Sequence, residues 1–241
     1  MGNELLGKVL DAHGGLERWR ELTTIRASIV SGGDLWGIKG LVQDSDPREM
    51  TVRLHEQWAS VQPYGAPDQR TDFTADRIAI EKLDGRVVAE RRAPRESFAG
   101  HTLATPWDAL HRAYFNGYAL WTYLTAPFLL AMPGFTVTEI EPVTDHGERW
   151  LGLSARYPAH IAGHSTVQEF YFGEHDHLLR RNDYRVDVAG GFIGVHYVSD
   201  LIDAGGILVP TTRRAYRRES PDGPVLDQLM VSIDLSDIRV S

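Results

Sequence analysis

The sequence predicts a mainly β protein with helical additions (α+β): one antiparallel meander, interrupted midway by a helix laid against the sheet. Eleven or twelve short runs of strand character follow one another at hairpin distances. Residues 101–133 switch to helical spacing, and no charged side chain occurs between Ala113 and Thr138. No βαβ alternation is present, which argues against a parallel sheet.

At the N-terminus, Leu5, Leu6, Val9, Leu10, Leu16, Trp19 and Leu22 fall at helical intervals behind a cap residue, Asn3. Gly14 and Gly15 divide this segment (1–22) into two short helices. The first strand region, 23–95, holds runs at 24–30, 35–43, 48–61, 73–83 and 86–92, separated by SGGD, DSDP, PYGAPD and LDGR. Asp84-Gly85 is the strongest hairpin signal among them. In the insert (101–133), Trp107, Leu110, Tyr114, Tyr118, Trp121 and Leu124 lie on one helical face. Thr105 stands as cap, Pro106 at the first helical position and Asp108 in the first turn, and Pro127 and Pro133 end the helix. Strands resume in 135–240, at 136–142, 149–157, 166–172, 178–188, 192–202, 207–218 and 225–235. Leu229, Val231, Ile233 and Leu235 alternate with polar residues, as on a half-buried strand. Arg181, Asp183, Arg185 and Asp187 predict a charged row on a solvated face, with Tyr184, Val186 and Val188 on the other. No linker or repeat divides the chain, so 1–241 is read as one domain.

At 241 residues the chain can bury a sizeable core without staples. The absence of cysteine excludes disulfides, a thiolate nucleophile and a cysteine-based zinc site. A net charge of −8 argues against nucleic-acid binding, because phosphate contacts need a basic face. The first residues lack a basic stretch followed by an apolar one, so no export signal is read and a cytoplasmic location is expected. The uncharged run contains Asn116, Gly117, Thr122, Thr125 and two prolines. That composition fits a buried or cavity-covering helix and not stable membrane insertion.

The order of elements resembles that of the LolA and LppX type of bacterial lipoprotein carriers. The local match is FYFGEHDHLLRRNDYRVDVAGGFIGVHYVSDLIDAGGILVPTTRRAY, residues 170–216. It resembles that superfamily's hLLRR-Y strand and its G-h-h-h-PT-R strand. The resemblance implies an unclosed, strongly curved half-barrel with helices packed in its concave face. It also implies an apolar hollow that the insert covers and a hydrophobic small molecule or acyl chain fills. Trp36, Trp58, Trp107, His111, Tyr114, Tyr118, Trp121, Tyr184 and His196 are the expected lining residues.

Three polar groupings carry residue types suited to chemistry. His160 with His164 and His175 with His177 have metal-like spacings, but both pairs sit in turns and the strand between would hold them roughly 25 Å apart. No metal site and no cofactor are therefore expected. His196 lies in an apolar strand and Tyr184 in the preceding one, near enough to pair across it, with Asp183 on the opposite face. Asp108, His111 and Asn116 offer a polar spot on the insert. Three functions follow: binding of a hydrophobic molecule in the half-barrel; an isomerase, cyclase or hydrolase using His196, Tyr184 or Asp183 as acid or base; or a scaffold whose insert docks a partner protein. Ligand identity and oligomeric state are not legible.

Overall fold

The computed structural model describes residues 3–241. The Asn3 side chain accepts the Leu6 N–H at 2.9 Å and starts α1 (Glu4–Ala12), which the glycine pair separates from α2 (Leu16–Glu21). The first meander comprises β1 (Thr24–Gly32), α3 (Asp34–Ile38), β2 (Arg48–Arg53), β3 (Ala59–Gln62), β4 (Gln69–Phe73), β5 (Arg77–Lys82) and β6 (Val87–Arg92). After the long helix α4 (Ala109–Thr125) come β7 (Thr136–Asp145), β8 (Glu148–Arg156), β9 (Val167–Gly173) and β10 (Leu179–Val186). The chain ends with β11 (Phe192–Asp203), β12 (Leu208–Arg218) and β13 (Val225–Val240).

All thirteen strands form one antiparallel sheet in the order β6-β5-β4-β3-β2-β1-β13-β12-β11-β10-β9-β8-β7. The two meanders are joined where β1 pairs with β13, from Ile25 opposite Val240 to Gly32 opposite Ser232. The free edges are β6 and β7, the strands that flank the insert, so the sheet is an unclosed half-barrel. The insert is the connection that crosses the open side from one edge to the other. Among the described residues, no helix is long and apolar enough to cross a membrane.

The structure corrects several predicted elements. Residues 35–43 are not a strand: α3 starts at Asp34, because Gly33 (φ +103°) turns the chain tightly over the backbone of Met230. The run 48–61 divides, since the carbonyls of Arg53 and Glu56 turn to the Trp121 indole N–H, at 2.8 and 2.9 Å, and leave the ladder. The run 73–83 holds one strand, β5, because Phe73 is the last residue of β4, which starts at Gln69 ahead of the run, and a turn in which the Thr74 hydroxyl donates to Asp76 separates the two. Thr105 does not cap the long helix. Its hydroxyl accepts the Thr102 N–H, the Trp107 N–H goes to the Lys39 carbonyl, and helical geometry begins only after Asp108. The charged row is solvated only at Arg185 and Asp187, while Arg181 and Asp183 are buried. Arg181 lies between the rings of Tyr171 and Tyr197, grips both oxygens of Asp183 at 2.8 Å and reaches Asp145 at 2.5 Å. Asp183 is only 7% exposed.

Helix α4 fills the concave face and is buried on nearly all sides from Gly117 onward. Asp108 accepts the His111 N–H at 2.8 Å, while the His111 ring accepts the Asp108 N–H at 3.2 Å, a reciprocal cap. Arg91 of β6 holds the same carboxylate at 2.6 Å. At the other end Ala126 turns extended before Pro127, which cannot continue a helix.

The helix comes closest to the sheet at Gly117, where a Cβ would overlap the Cβ and ring of Phe73. An alanine at a free helical position gains about 1 kcal/mol over glycine. Here we expect the reverse sign: Gly117→Ala lowers unfolding free energy in urea by about 1–3 kcal/mol through overpacking. A more stable variant would refute this close approach.

Candidate functional site

Two regions inside the half-barrel differ in character. Beneath strands β9 to β12, hydroxyl and imidazole groups fill the space. The Tyr123 hydroxyl lies 2.9 Å from His164 Nε2 and 3.0 Å from the Tyr184 hydroxyl. Tyr118 reaches His164 Nδ1 at 3.3 Å, and Tyr184 reaches His196 Nδ1 at 3.5 Å. His164 stacks on the Tyr184 ring at 3.9 Å, and Tyr123 meets His196 edge-on at 4.4 Å. His164 and His196 are each 1% exposed. The loop bearing His164 is pinned by Arg95, which donates to the Gly163 carbonyl at 2.6 Å and pairs with Asp187 at 3.0 Å.

Burial sets the protonation of this chain. It holds His164 well below the ordinary histidine value, with Arg95 adding to the effect. It does the same to His196, helped by Arg213 and by His164. Burial also pushes Tyr123 up to about 12, and Tyr118 and Tyr184 well above the usual phenol. Every member is therefore neutral near pH 7. Such histidines are weak bases and such phenols weak acids, so the chain is poorly matched to general acid–base work.

Arg213 of β12 is the cation of this region, 2% exposed, with no carboxylate partner among the described residues. It donates to the Tyr123 carbonyl, and its guanidinium lies 5.1 Å from the Tyr123 ring centroid. That carbonyl belongs to the last turn of α4, which has no basic residue of its own. The helix C-terminus thus supplies the partial negative charge that Arg213 otherwise lacks. Burial still lowers its pKa, to about 10.

On the other side of α4, facing β1, β2, β3 and β13, the packing leaves a cavity of about 200 Å³. Ile29, Leu41, Val61, Val231 and Ile233 form one wall, and Phe115, Ala119, Leu120 and Tyr123 of α4 form the other. Trp36 closes its side, while Arg48, Tyr64, Gly65, Ala109, Arg112 and Asn116 stand around its outer end. Ala119 is the small residue between Phe115 and Tyr123 on this helical face, and the void lies against it.

Of the sequence-derived lining residues, Trp36 lines this cavity. Tyr118, Tyr184 and His196 belong to the hydrogen-bonded chain instead. Trp107 packs on Phe98 and Phe115 and under Lys39, and Tyr114 packs on Phe73 and Phe98. Trp121 is turned to the β2–β3 loop, and Trp58 donates to Asp72 at 2.7 Å on β4. His111 serves the helix cap beside Phe98. Asp183 is held in its ion pair on the sheet face opposite Tyr184. His160 and His164 do not converge, since His164 is core and His160 exposed, and no group of three metal-ligating side chains occurs among the described residues.

No protein-family model and no curated protein matches the chain. Solved structures do. A protein of the DUF1329 family from Desulfovibrio piger gives a TM-score of 0.55 at 10% identity, covering 98% of this chain and 91% of that one. A Vibrio parahaemolyticus domain assigned to outer membrane lipoprotein sorting gives 0.54 at 11%, covering 99% and 91%. A LolA superfamily protein from Nitrosomonas europaea gives 0.53 at 9%, covering 99% and 93%. At these identities the likeness is one of fold, and the fold is the LolA-type half-barrel expected from the order of elements.

The buried histidines make stability depend on pH. His13 is held low by burial in the same way as His164 and His196. A histidine with a depressed folded pKa takes up its proton more readily when unfolded, so each one destabilises the fold as pH drops below about 6.5, by about 1.4 kcal/mol per unit. Asp183, raised by burial to about 6 despite Arg181 and Arg218, acts in the opposite sense below that pH. His101 and His111, also held low by burial, act with these three histidines, and Asp187, raised by burial, acts with Asp183, so urea midpoints should be lower at pH 5 than at pH 7. A midpoint that is level or higher at pH 5 would contradict the neutral, buried imidazoles.

Proposed function

We propose that this protein binds a small hydrophobic molecule or a short acyl chain in the cavity between α4 and strands β1, β2, β3 and β13. The observation that carries the reading is the cavity itself, about 200 Å³ in a well-packed interior and walled by aliphatic and aromatic side chains. Apolar cavities of about 150 Å³ stay dry and take up benzene, so this one suits an occupant of one ring or a short chain. The half-barrel fold supports the same reading, since one of the similar structures is named for lipoprotein sorting. The polar chain favours it too: Tyr184 and His196 do not line the cavity, and burial moves their pKa values away from neutral pH in both directions, which sets the catalytic alternative behind the binding one.

Filling the void is the direct test. Ala119→Phe places a ring where the ligand would lie, so the variant should keep its melting temperature within a few degrees and lose binding. Titration calorimetry with one-ring aromatics and C4–C8 alcohols should show saturable binding to the native protein and at least tenfold weaker binding to the variant. If no compound of the panel binds, or if the variant binds equally well, the cavity is packing slack and the proposal fails.

A further inference from the structure

We propose that the ligand of this cavity is a small apolar carboxylic acid, its chain or ring among Phe115, Ala119 and Leu120 and its ionised head group held at the outer end by Arg112 and Asn116. This rests on the cavity being a ligand site and adds the chemistry of the head group.

The first ground is charge. The outer end carries two arginines, and no acidic side chain lines the cavity among the described residues. Arg48 is already neutralised, because its Nη2 lies 2.8 Å from both oxygens of Asp44. Arg112 has no such partner. It donates only to the Val42 carbonyl, at 3.0 Å, and to the Gln43 side-chain oxygen, both uncharged. Its Nε is buried with no hydrogen-bond acceptor, and its guanidinium lies 4.7 Å from the Trp36 ring centroid. Of five N–H donors the protein uses two. A half-buried cation supplied only with neutral acceptors favours an anion over water, and a carboxylate is a stronger acceptor than either oxygen it now holds.

The second ground is placement. Asn116 follows Arg112 by four residues, so both project from the same face of α4 onto the cavity. The Asn116 amide makes no hydrogen bond to another described residue, whereas the neighbouring Tyr64 hydroxyl is committed to the Ala109 carbonyl at 2.7 Å. A partly used donor set on Arg112 and an unused one on Asn116 thus stand one helical turn apart beside an apolar void. The third ground is size, since about 200 Å³ takes one ring or one short chain, not several acyl chains. Beside the site, Val42 is 88% exposed and its carbonyl is held by Arg112, so a head group on Arg112 competes with the 41–43 stretch for the same donors.

The test is calorimetric titration of the full chain at pH 7.5 with hexanoate, 1-hexanol and hexyl phosphate. We expect hexanoate to bind at least tenfold more tightly than hexanol, with the gap narrowing in high salt. Arg112→Met should bring the acid-to-alcohol ratio below threefold, and Arg112→Lys, which keeps the charge but not the fork, should retain part of it. Circular dichroism confirms that each variant folds, and Arg112→Gln, which also removes the charge, takes the place of the methionine variant should that one not fold. Equal binding of acid and alcohol overturns the head-group inference and leaves the cavity proposal standing. Failure of both to bind overturns the cavity proposal itself. Tighter binding of hexyl phosphate than hexanoate, or an acid preference that survives both substitutions, also overturns the assignment.

Discussion

Everything in this fold follows from seating one long, nearly uncharged helix across the mouth of a sheet that does not close. The edges β6 and β7 are the strands that lead into and out of the insert, so the connection between them has to span the opening. A helix seated there needs its end groups satisfied, above all at the buried C-terminal end where water cannot reach them. At the start, Asp108 and His111 cap each other and Arg91 of β6 ties the cap to one edge. At the end, Arg213 of β12 binds a last-turn carbonyl from the opposite half of the sheet. Between them the Trp121 indole joins the helix to the loop after β2. The helix is held at three points, which fixes its rotation as well as its position.

That fixed rotation explains why the two sides of α4 are filled so differently. Gly117 lets the backbone drop onto Phe73, which brings Tyr118 and Tyr123 within reach of His164 and Tyr184. The polar chain so formed is neutral throughout and makes its hydrogen bonds internally, a low-cost way to bury phenols and imidazoles. The face carrying Ala119 meets Ile29, Val61 and Ile233 with too little volume to close the gap. On the outer face of the sheet, Arg181 with Asp183 and Asp145 is the opposite solution, an ionic cluster shielded by aromatic rings.

The sequence was informative where local chemistry decides structure. The Asn3 cap, the glycine pair, the Asp84-Gly85 hairpin, Pro127 as helix stop and the long meander can all be read from residues a few positions apart. It was least informative about which face of the insert lines a void. Helical spacing selects Trp107, Tyr114, Tyr118 and Trp121 as one stripe, but α4 is buried almost all round, so a stripe of large apolar residues does not single out a lining. The cavity face is the one running through Arg112, Asn116, Ala119 and Tyr123, and a small residue between two aromatic ones was its faint signal. His164 gave no signal at all. Its place in the core depends on Arg95 drawing a loop inward by contacts nearly seventy residues apart.

A void beside a small residue usually shrinks, because neighbouring side chains relax into it. Here the neighbour best placed to do so is Tyr123, and it is not free to move. Its hydroxyl is held between His164 and Tyr184, its ring lies under the Arg213 guanidinium and against His196, and its carbonyl is taken by the same arginine. Rotating it into the cavity would leave buried hydroxyl and imidazole groups without partners, at about 1–3 kcal/mol each. The polar chain therefore acts on the cavity through the one member that lines it: by locking Tyr123, it keeps open a space that an all-aliphatic core of the same volume would tend to fill. A preformed space of this kind is what tight binding of a small apolar molecule requires, since the cost of opening it is met when the protein folds and not when the ligand arrives.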